Sequence, residues 1–313
     1  MANKLGVVFP GQGSQQVGML SALAARHPLV ESTFREASEV LGYDLWQLVC
    51  QGPAEELALT HITQPAILSA SVAVWRVWEA QGGARPQLMA GHSLGEYSAL
   101  VCSAALAFTD AVDLVRRRGE FMQNAVAVGV GSMAAIVGLD DEAVIKACQE
   151  ASVGDSGVVA AVNFNSPGQV VIAGHKQAVN AAALLCKAAG AKRALPLAVS
   201  APFHSPLMQP AAERFAEVLD AVAIASPKVA VIQNYSLAST LDSDEIRRNL
   251  VAQIHNPVPW VATIRRFAAE GIDEVLEFGP GKVLAGLNKR IDADMPVRSV
   301  NDPESLQAAL GAS

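Results

Sequence analysis

Cysteine is scarce in this chain of 313 residues: Cys50, Cys102, Cys148 and Cys186 are the only four, and they lie far apart. There is no Cys-x-x-Cys and no metal-ligand spacing, so no metal site is expected. Scattered thiols of this kind read as small buried hydrophobes in a reducing compartment. Positive charge is also in deficit, with 23 Lys and Arg against 30 Asp and Glu and a net charge of −7. No basic excess exists to neutralise phosphates, which argues against a general nucleic-acid binder. Long apolar runs are missing too. The stretch 125–139 is broken by three glycines and a serine and is shorter than the about 20 residues a membrane span needs. The apolar run Leu5 to Phe9 is too short for a signal peptide and stops at Pro10-Gly11. No membrane attachment is expected, and the cytoplasm is the default location.

What is abundant is aliphatic residue: 51% of the chain is hydrophobic and 17% charged. That composition fits a compact α/β protein of one large domain or two moderate ones. Its centre of organisation is Met89-Ala-Gly-His-Ser-Leu-Gly-Glu-Tyr-Ser98, which fits Gly-x-Ser-x-Gly. A β-prone segment (Gln87 to Ala90) precedes it and a helix-prone one (Glu96 to Leu106) follows. A serine on such a strand-to-helix turn stands clear of its own backbone, and the next helix aims free N–H groups at it. Ser93 is therefore the candidate nucleophile.

Taken in order, Leu5 to Phe9 reads as a buried parallel strand running into the turn Pro10-Gly-Gln-Gly-Ser-Gln15. The Gly11-x-Gly13 pair has no third glycine at dinucleotide-binding spacing. Helical patterning fills most of Gln15 to Cys50. A proline at position 65 suits a first helical turn, so a long apolar helix is expected over 66–80. Another helix spans Asp110 to Asn124 and carries Arg116-Arg117-Arg118. From there the pattern reads strand (133–137), helix (141–151), strand (158–164), turn, strand (170–173), helix (176–189), strand (194–197). That order is βαββαβ. The large unit resumes at Ser200, with further strands at 229–233, 275–278 and 297–300 between helices. The expected fold is α/β: a large α/β-hydrolase-like domain with a short parallel sheet (1–127 and 200–313) and an inserted small ferredoxin-like domain (128–199).

A serine hydroxyl needs a base, and there are six histidines: His27, His61, His92, His175, His204 and His255. His92 adjoins Ser93, but neighbours on a tight turn point apart. His204, in the proline-flanked loop leaving the inserted domain, is better placed. The residues alone leave Arg118 open between a solvated helix charge, like Arg116 and Arg117, and a cation in a pocket. They leave His92 open between a local hydrogen bond and a role in the site. Gln253 is open between a surface helix residue and a site residue, and the turn Gly279-Pro-Gly281 reads as structural.

Seven ordered motifs then become specific together: Phe9-Pro-Gly-Gln-Gly-Ser-Gln15, Thr63-Gln-Pro65, Gly91-His-Ser-Leu-Gly-Glu96, Arg118-Gly119, Phe203-His204, Gln253-x-x-Asn256-Pro257 and Gly279-Pro-Gly281. With these the chain resembles the malonyl-CoA:acyl carrier protein transacylases of fatty-acid synthesis and the acyltransferase domains of polyketide synthases, from about Val7 to Ile291. The resemblance implies Ser93 as the acylated nucleophile and His204 as its base, with Gln253 orienting the imidazole through its backbone carbonyl. It implies an oxyanion hole from the backbone N–H groups of Leu94 and Gln12. It further implies Arg118 pairing with the malonyl carboxylate, and Gln64, His92 and Phe203 lining the same pocket. Phe203 before the base and Leu94 after the nucleophile match the malonyl-using branch of the family. The implied substrate is malonyl-CoA, with no permanently bound cofactor. The implied partner is holo acyl carrier protein, met by a monomer, with neither nucleic acid nor membrane involved.

One rival reading is a serine hydrolase of the α/β-hydrolase type, which shares Gly-x-Ser-x-Gly. It expects an acid between serine and histidine; Asp110, Asp113, Asp140, Asp141 and Asp155 are the candidates, and no His-Gly-Gly loop accompanies them. A stand-alone acyltransferase serving a polyketide synthase is another. A carrier-binding scaffold without chemistry is a third, disfavoured by an intact nucleophile and base.

Overall fold

The structure is a computed structural model that describes residues 4–153, 156–199 and 201–311. Asp155 and the expected boundary residue Ser200 lie outside the described residues, as do 1–3, 154, 312 and 313. Five short strands form a wholly parallel sheet: β1 (Leu5–Phe9), β2 (Leu88–Gly91), β7 (Ala230–Ile232), β8 (Glu274–Phe278) and β9 (Val297–Val300), in the order β7-β2-β1-β8-β9. Every residue of β1 is buried, which is why it carries an unbroken apolar run rather than an alternation. The neighbours β7, β2 and β1 end side by side, and in such a sheet the loops leaving those ends build the ligand crevice.

Between β2 and β7 the chain makes a second, antiparallel sheet. Its strands are β3 (Gly131–Val137), β4 (Val159–Ser166), β5 (Gln169–His175) and β6 (Arg193–Pro196), in the order β4-β5-β3-β6. Helices Asp141–Ala151 and Lys176–Ala188 complete the βαββαβ order. The period of two in the strands explains how this sheet serves two cores. Ala134, Ile136, Val170 and Ile172 face the unit's own helices with Val144, Cys148, Val179 and Cys186. The alternate residues Met133, Val171 and Ala173 join the core of the large unit. Backbone bonds lock the two units together: Val258 N–H donates to Val162 O (2.8 Å) and Phe164 N–H donates to Val258 O (3.0 Å). Asn256-Pro257 thus introduces the segment that joins β4.

The helix expected over 66–80 instead spans Thr60–Ala80, with Pro65 inside it. Burial outweighs the lost backbone hydrogen bond, because the residues from Ile62 to Val74 are buried on every side of the helix. The early turn is also held from outside, where the Thr63 hydroxyl donates to Leu57 O at 2.5 Å. The elbow helix is shorter than expected, Gly95–Cys102, and stops before Ala104, whose φ is 61°. The remaining elements lie within a few residues of their expected bounds.

Helix Thr60–Ala80 packs against helix Phe108–Gln123 at Gly119, where an added Cβ would sit 2.7 Å from His61 Cα and 2.8 Å from Thr60 O. Both neighbours are backbone, so they cannot swing aside. Gly119→Ala should lower stability by about 1–3 kcal/mol, the usual cost of overpacking, read as a fall in the denaturation midpoint. An unchanged midpoint would show that the helices separate freely.

Candidate active site

Ser93 sits on the turn between β2 and helix Gly95–Cys102 with φ of 52°, the left-handed region that a non-glycine residue enters at a cost. The turn closes only with glycine at both flanks. A Cβ on Gly91 would lie 1.8 Å from Gly95 C, and one on Gly95 would lie 2.1 Å from Phe9 O. Asn234, two residues beyond β7, braces the strained turn on both sides. Its Oδ1 accepts from Ser93 N–H (2.8 Å) and its Nδ2 donates to Gly91 O (2.7 Å).

His204 meets Ser93 across the crevice, with Nε2 2.7 Å from the serine Oγ and Nδ1 2.9 Å from the backbone carbonyl of Gln253. The carbonyl can only accept, so Nδ1 carries the hydrogen and Nε2 is left as the acceptor for the serine proton. His204 also has a left-handed φ, 62°, imposed by the turn that brings the ring in. Burial, and next the Arg118 charge, push its pKa down to about 3, so the imidazole is neutral and ready as a base at neutral pH. Among the described residues no aspartate takes the place of the Gln253 carbonyl. Asp113 pairs with Arg116 and Arg117, and Asp140 caps the helix Asp141–Ala151. Asp110 and Asp141 make no hydrogen bond to the imidazole among the described residues.

Arg118 resolves the alternative the sequence left open. Arg116 and Arg117 lie on the outer face of helix Phe108–Gln123, paired with Asp113 and Glu120. Arg118 lies on the inner face and is buried, with 1% of its surface exposed. Its Nη1 donates to Gln64 Oε1 (2.9 Å), and its Nη2 donates to Gln253 Oε1 (2.9 Å) and to Ser93 Oγ (3.2 Å). No carboxylate lies within ion-pair distance among the described residues, and its Nε has no partner there. A cation sealed from water this way is costly until an anion joins it.

A cavity of about 210 Å³ opens onto these groups, lined by Gln12, Gln64, His92, Ser93, Leu94, Arg118, Phe203 and His204 with apolar Met122, Met133 and Val171. The backbone N–H groups of Gln12 and Leu94 have no hydrogen-bond partner among the described residues. They border the cavity beside Ser93, where an oxyanion would form. The His92 Nε2 lies 2.8 Å from Asn165 Oδ1 at the end of β4. That bond crosses from the large unit to the inserted one rather than staying local. A larger hollow of about 850 Å³, bordered by Trp75, Arg76, Cys102 and Lys228, contains none of the Ser93 constellation. Burial raises the thiols of Cys102, Cys148 and Cys186, and none of the four cysteines lines the cavity at Ser93.

The acyl transferase domain family matches residues 7–299. The malonyl CoA-acyl carrier protein transacylase of Salmonella typhimurium is 57% identical over 303 residues, covering 97% of both chains. This chain belongs to the malonyl-CoA:acyl carrier protein transacylase family. The Bacillus subtilis enzyme of the same name is 46% identical over 308 residues, with 98% of this chain and 96% of that protein covered. Among solved structures, an acyl carrier protein S-malonyltransferase from Vibrio cholerae superposes with a TM-score of 0.95 at 53% identity, covering 97% of this chain and 99% of that one. A malonyl-transacylase in complex with the holo acyl carrier protein of a type II polyketide synthase superposes with a TM-score of 0.97 at 54% identity, covering 99% of this chain and 100% of that one.

Three site residues of this transacylase chain escaped the sequence reading: Asn165, Asn234 and Glu96. Asn234 left one trace, a polar residue just past a short apolar strand of a parallel sheet, where crevice residues gather. Glu96 closes the Gly91–Glu96 motif, but sequence gives no reason to bury it.

With His204 neutral far into the acid range, the acid limb of kcat/KM for acylation should fall well below the ordinary imidazole value of 6.5. Arg118→Ala removes the second cause of the shift and should move that limb up. A wild-type limb centred at 6.5 would mean that the imidazole titrates as if exposed. The linkage has the matching sign. The unfolded chain protonates this histidine below 6.5 and the folded one not until about 3, so its contribution to stability is complete above 6.5 and is lost as pH falls.

Proposed function

We propose that this chain moves malonyl from malonyl-CoA, through an ester on Ser93, to the phosphopantetheine thiol of holo acyl carrier protein, supplying fatty-acid chain elongation. The observation that carries the reading is the buried Arg118 guanidinium 3.2 Å from the serine Oγ, with no ion-pair partner among the described residues. A malonyl group holds its free carboxylate two carbons from the carbonyl under attack, so a cation beside the nucleophile meets it.

Ser93 Oγ attacks the thioester carbonyl while its proton passes to His204 Nε2, and the Gln12 and Leu94 N–H groups receive the oxyanion. The C–S bond breaks, and CoA leaves as the thiol with the proton from His204. In the second half the carrier thiol gives its proton to His204 and attacks the Ser93 ester. The C–O bond breaks and the proton returns to Ser93. Malonyl-CoA is a substrate and the reading invokes no resident cofactor.

The division into 1–127 with 200–313 and 128–199 belongs to this reading. So do the likeness of the elbow to α/β-hydrolases and of the insert to ferredoxin-like units, a cytoplasmic site of action and action as a monomer. The β4-β5-β3-β6 order supports the ferredoxin-like part. Carrier docking would fall on the exposed cations Lys187, Lys192 and Arg193 of the insert with Lys282, Lys289 and Arg290 of the large unit, because carrier proteins are acidic. Service to a polyketide synthase is the second reading, favoured by the similar transacylase solved with a type II polyketide synthase carrier.

Intact-mass spectrometry after mixing with malonyl-CoA should show one added malonyl in the wild type and none in Ser93→Ala. Persistent labelling of Ser93→Ala would move the chemistry to another residue. His204→Ala should lose about 10²- to 10⁴-fold in acylation rate. Arg118→Ala should lower kcat/KM for malonyl-CoA by about 2–4 kcal/mol in transition-state terms and spare acetyl-CoA. An equal loss with both thioesters would make Arg118 a support of the fold instead.

A further inference from the structure

Glu96 is a carboxylate with no exposed surface, and the transfer chemistry makes no use of it. Its two oxygens are unequal. Oε2 accepts from Asn234 N–H (2.9 Å) and from Gln253 Nε2 (2.8 Å), whereas Oε1 has no partner among the described residues. The same Gln253 Nε2 also donates to Ser93 O at 3.0 Å. With both acceptors on one side, the Gln253 amide can stand only with its NH2 toward Glu96 and the elbow. Its Oε1 then faces Arg118, where it accepts from Nη2 at 2.9 Å. Reversing the amide would aim NH2 at a guanidinium, which has donors alone, and leave the carboxylate facing an oxygen.

We propose that Glu96 is a positioning residue for substrate choice: by fixing the orientation of the Gln253 amide it holds the Arg118 guanidinium beside Ser93 and so selects an anionic acyl group. The inference rests on the malonyl-transfer reading. Gln253 thereby has two separable tasks. Its backbone carbonyl orients His204, and its side chain passes the acceptor demand of Glu96 on to Arg118. The Glu96 link also reaches the nucleophile, because Asn234, held through its N–H, braces Gly91 and Ser93. Burial raises the Glu96 carboxyl to about 7, with the Asn234 and Gln253 bonds and the Arg118 charge opposing the rise. Either protonation state keeps Oε2 as the acceptor, provided the proton sits on the unpartnered Oε1.

Because Oε1 has no partner, Glu96→Gln can place its NH2 there and keep an acceptor at the Oε2 position, while Glu96→Met removes the acceptor at similar volume. The test is kcat/KM for malonyl-CoA and for acetyl-CoA in the wild type and both variants. Glu96→Met should lower the malonyl value about 10- to 100-fold, the range for an orienting bond to a charged group, with a clearly smaller loss for acetyl. Glu96→Gln should stay within a few-fold of wild type in the malonyl-to-acetyl ratio. Equal losses for the two thioesters in Glu96→Met, or a ratio lost in Glu96→Gln as well, would overturn the orientation role. Should Glu96→Met not fold, Gln253→Met decides the matter. It keeps the backbone carbonyl and must lose malonyl selectively, and an equal loss for both thioesters overturns the proposal. A wild type that takes no malonyl would fail the functional reading itself, a result distinct from all of these.

Discussion

A guanidinium withdrawn from water, with no carboxylate in ion-pair distance among the described residues, is the constraint on which the site depends. Burying an unpaired charge is among the more expensive arrangements a protein can hold, and the surroundings of Arg118 offset it with neutral acceptors. Gln64 and Gln253 supply amide oxygens, the centre of the Tyr97 ring lies 5.3 Å from the guanidinium carbon, and Ser93 Oγ accepts a third bond. Neutral acceptors hold the group in place without cancelling its charge. The cation therefore stays available to an acyl group that brings its own anion.

The same charge shapes the base. Burial first, and then the nearby cation, discourages a charge on His204, so the imidazole stays neutral and the serine proton has somewhere to go. An aspartate behind the imidazole would favour the protonated ring and would also compete for Arg118. A backbone carbonyl orients Nδ1 without adding charge. The Gln253 carbonyl behind His204 and the Arg118 guanidinium held by neutral acceptors thus belong to one electrostatic arrangement.

Much of the fold can be read directly from residues because its elements are locally determined. The apolar run of β1, the glycine-bounded elbow and the βαββαβ patterning of the insert all express short-range preferences and periodicity. The start of helix Thr60–Ala80 does not, since Pro65 argues for a later beginning and only burial against neighbouring helices overrides it. Likewise, the end of helix Gly95–Cys102 at the left-handed turn of Ala104 answers to packing rather than propensity.

The site divides along the same line. Sequence alone pointed to Ser93 as the candidate nucleophile, because an elbow is a local motif, and the motif resemblance named His204, Gln253, Arg118, Gln64, Gln12, Leu94, His92 and Phe203. Tertiary structure decided what each of them touches. Three adjacent arginines on one helix are equivalent by composition, and only the 100° turn per residue and the burial of one face separate Arg118 from its neighbours. His92 bonds to Asn165 across the two units, and Glu96 orients Gln253 from 157 positions away. Hydrogen bonds over such separations leave no periodic trace in the chain, because they depend on where the sheet, the elbow and the insert come to rest against one another.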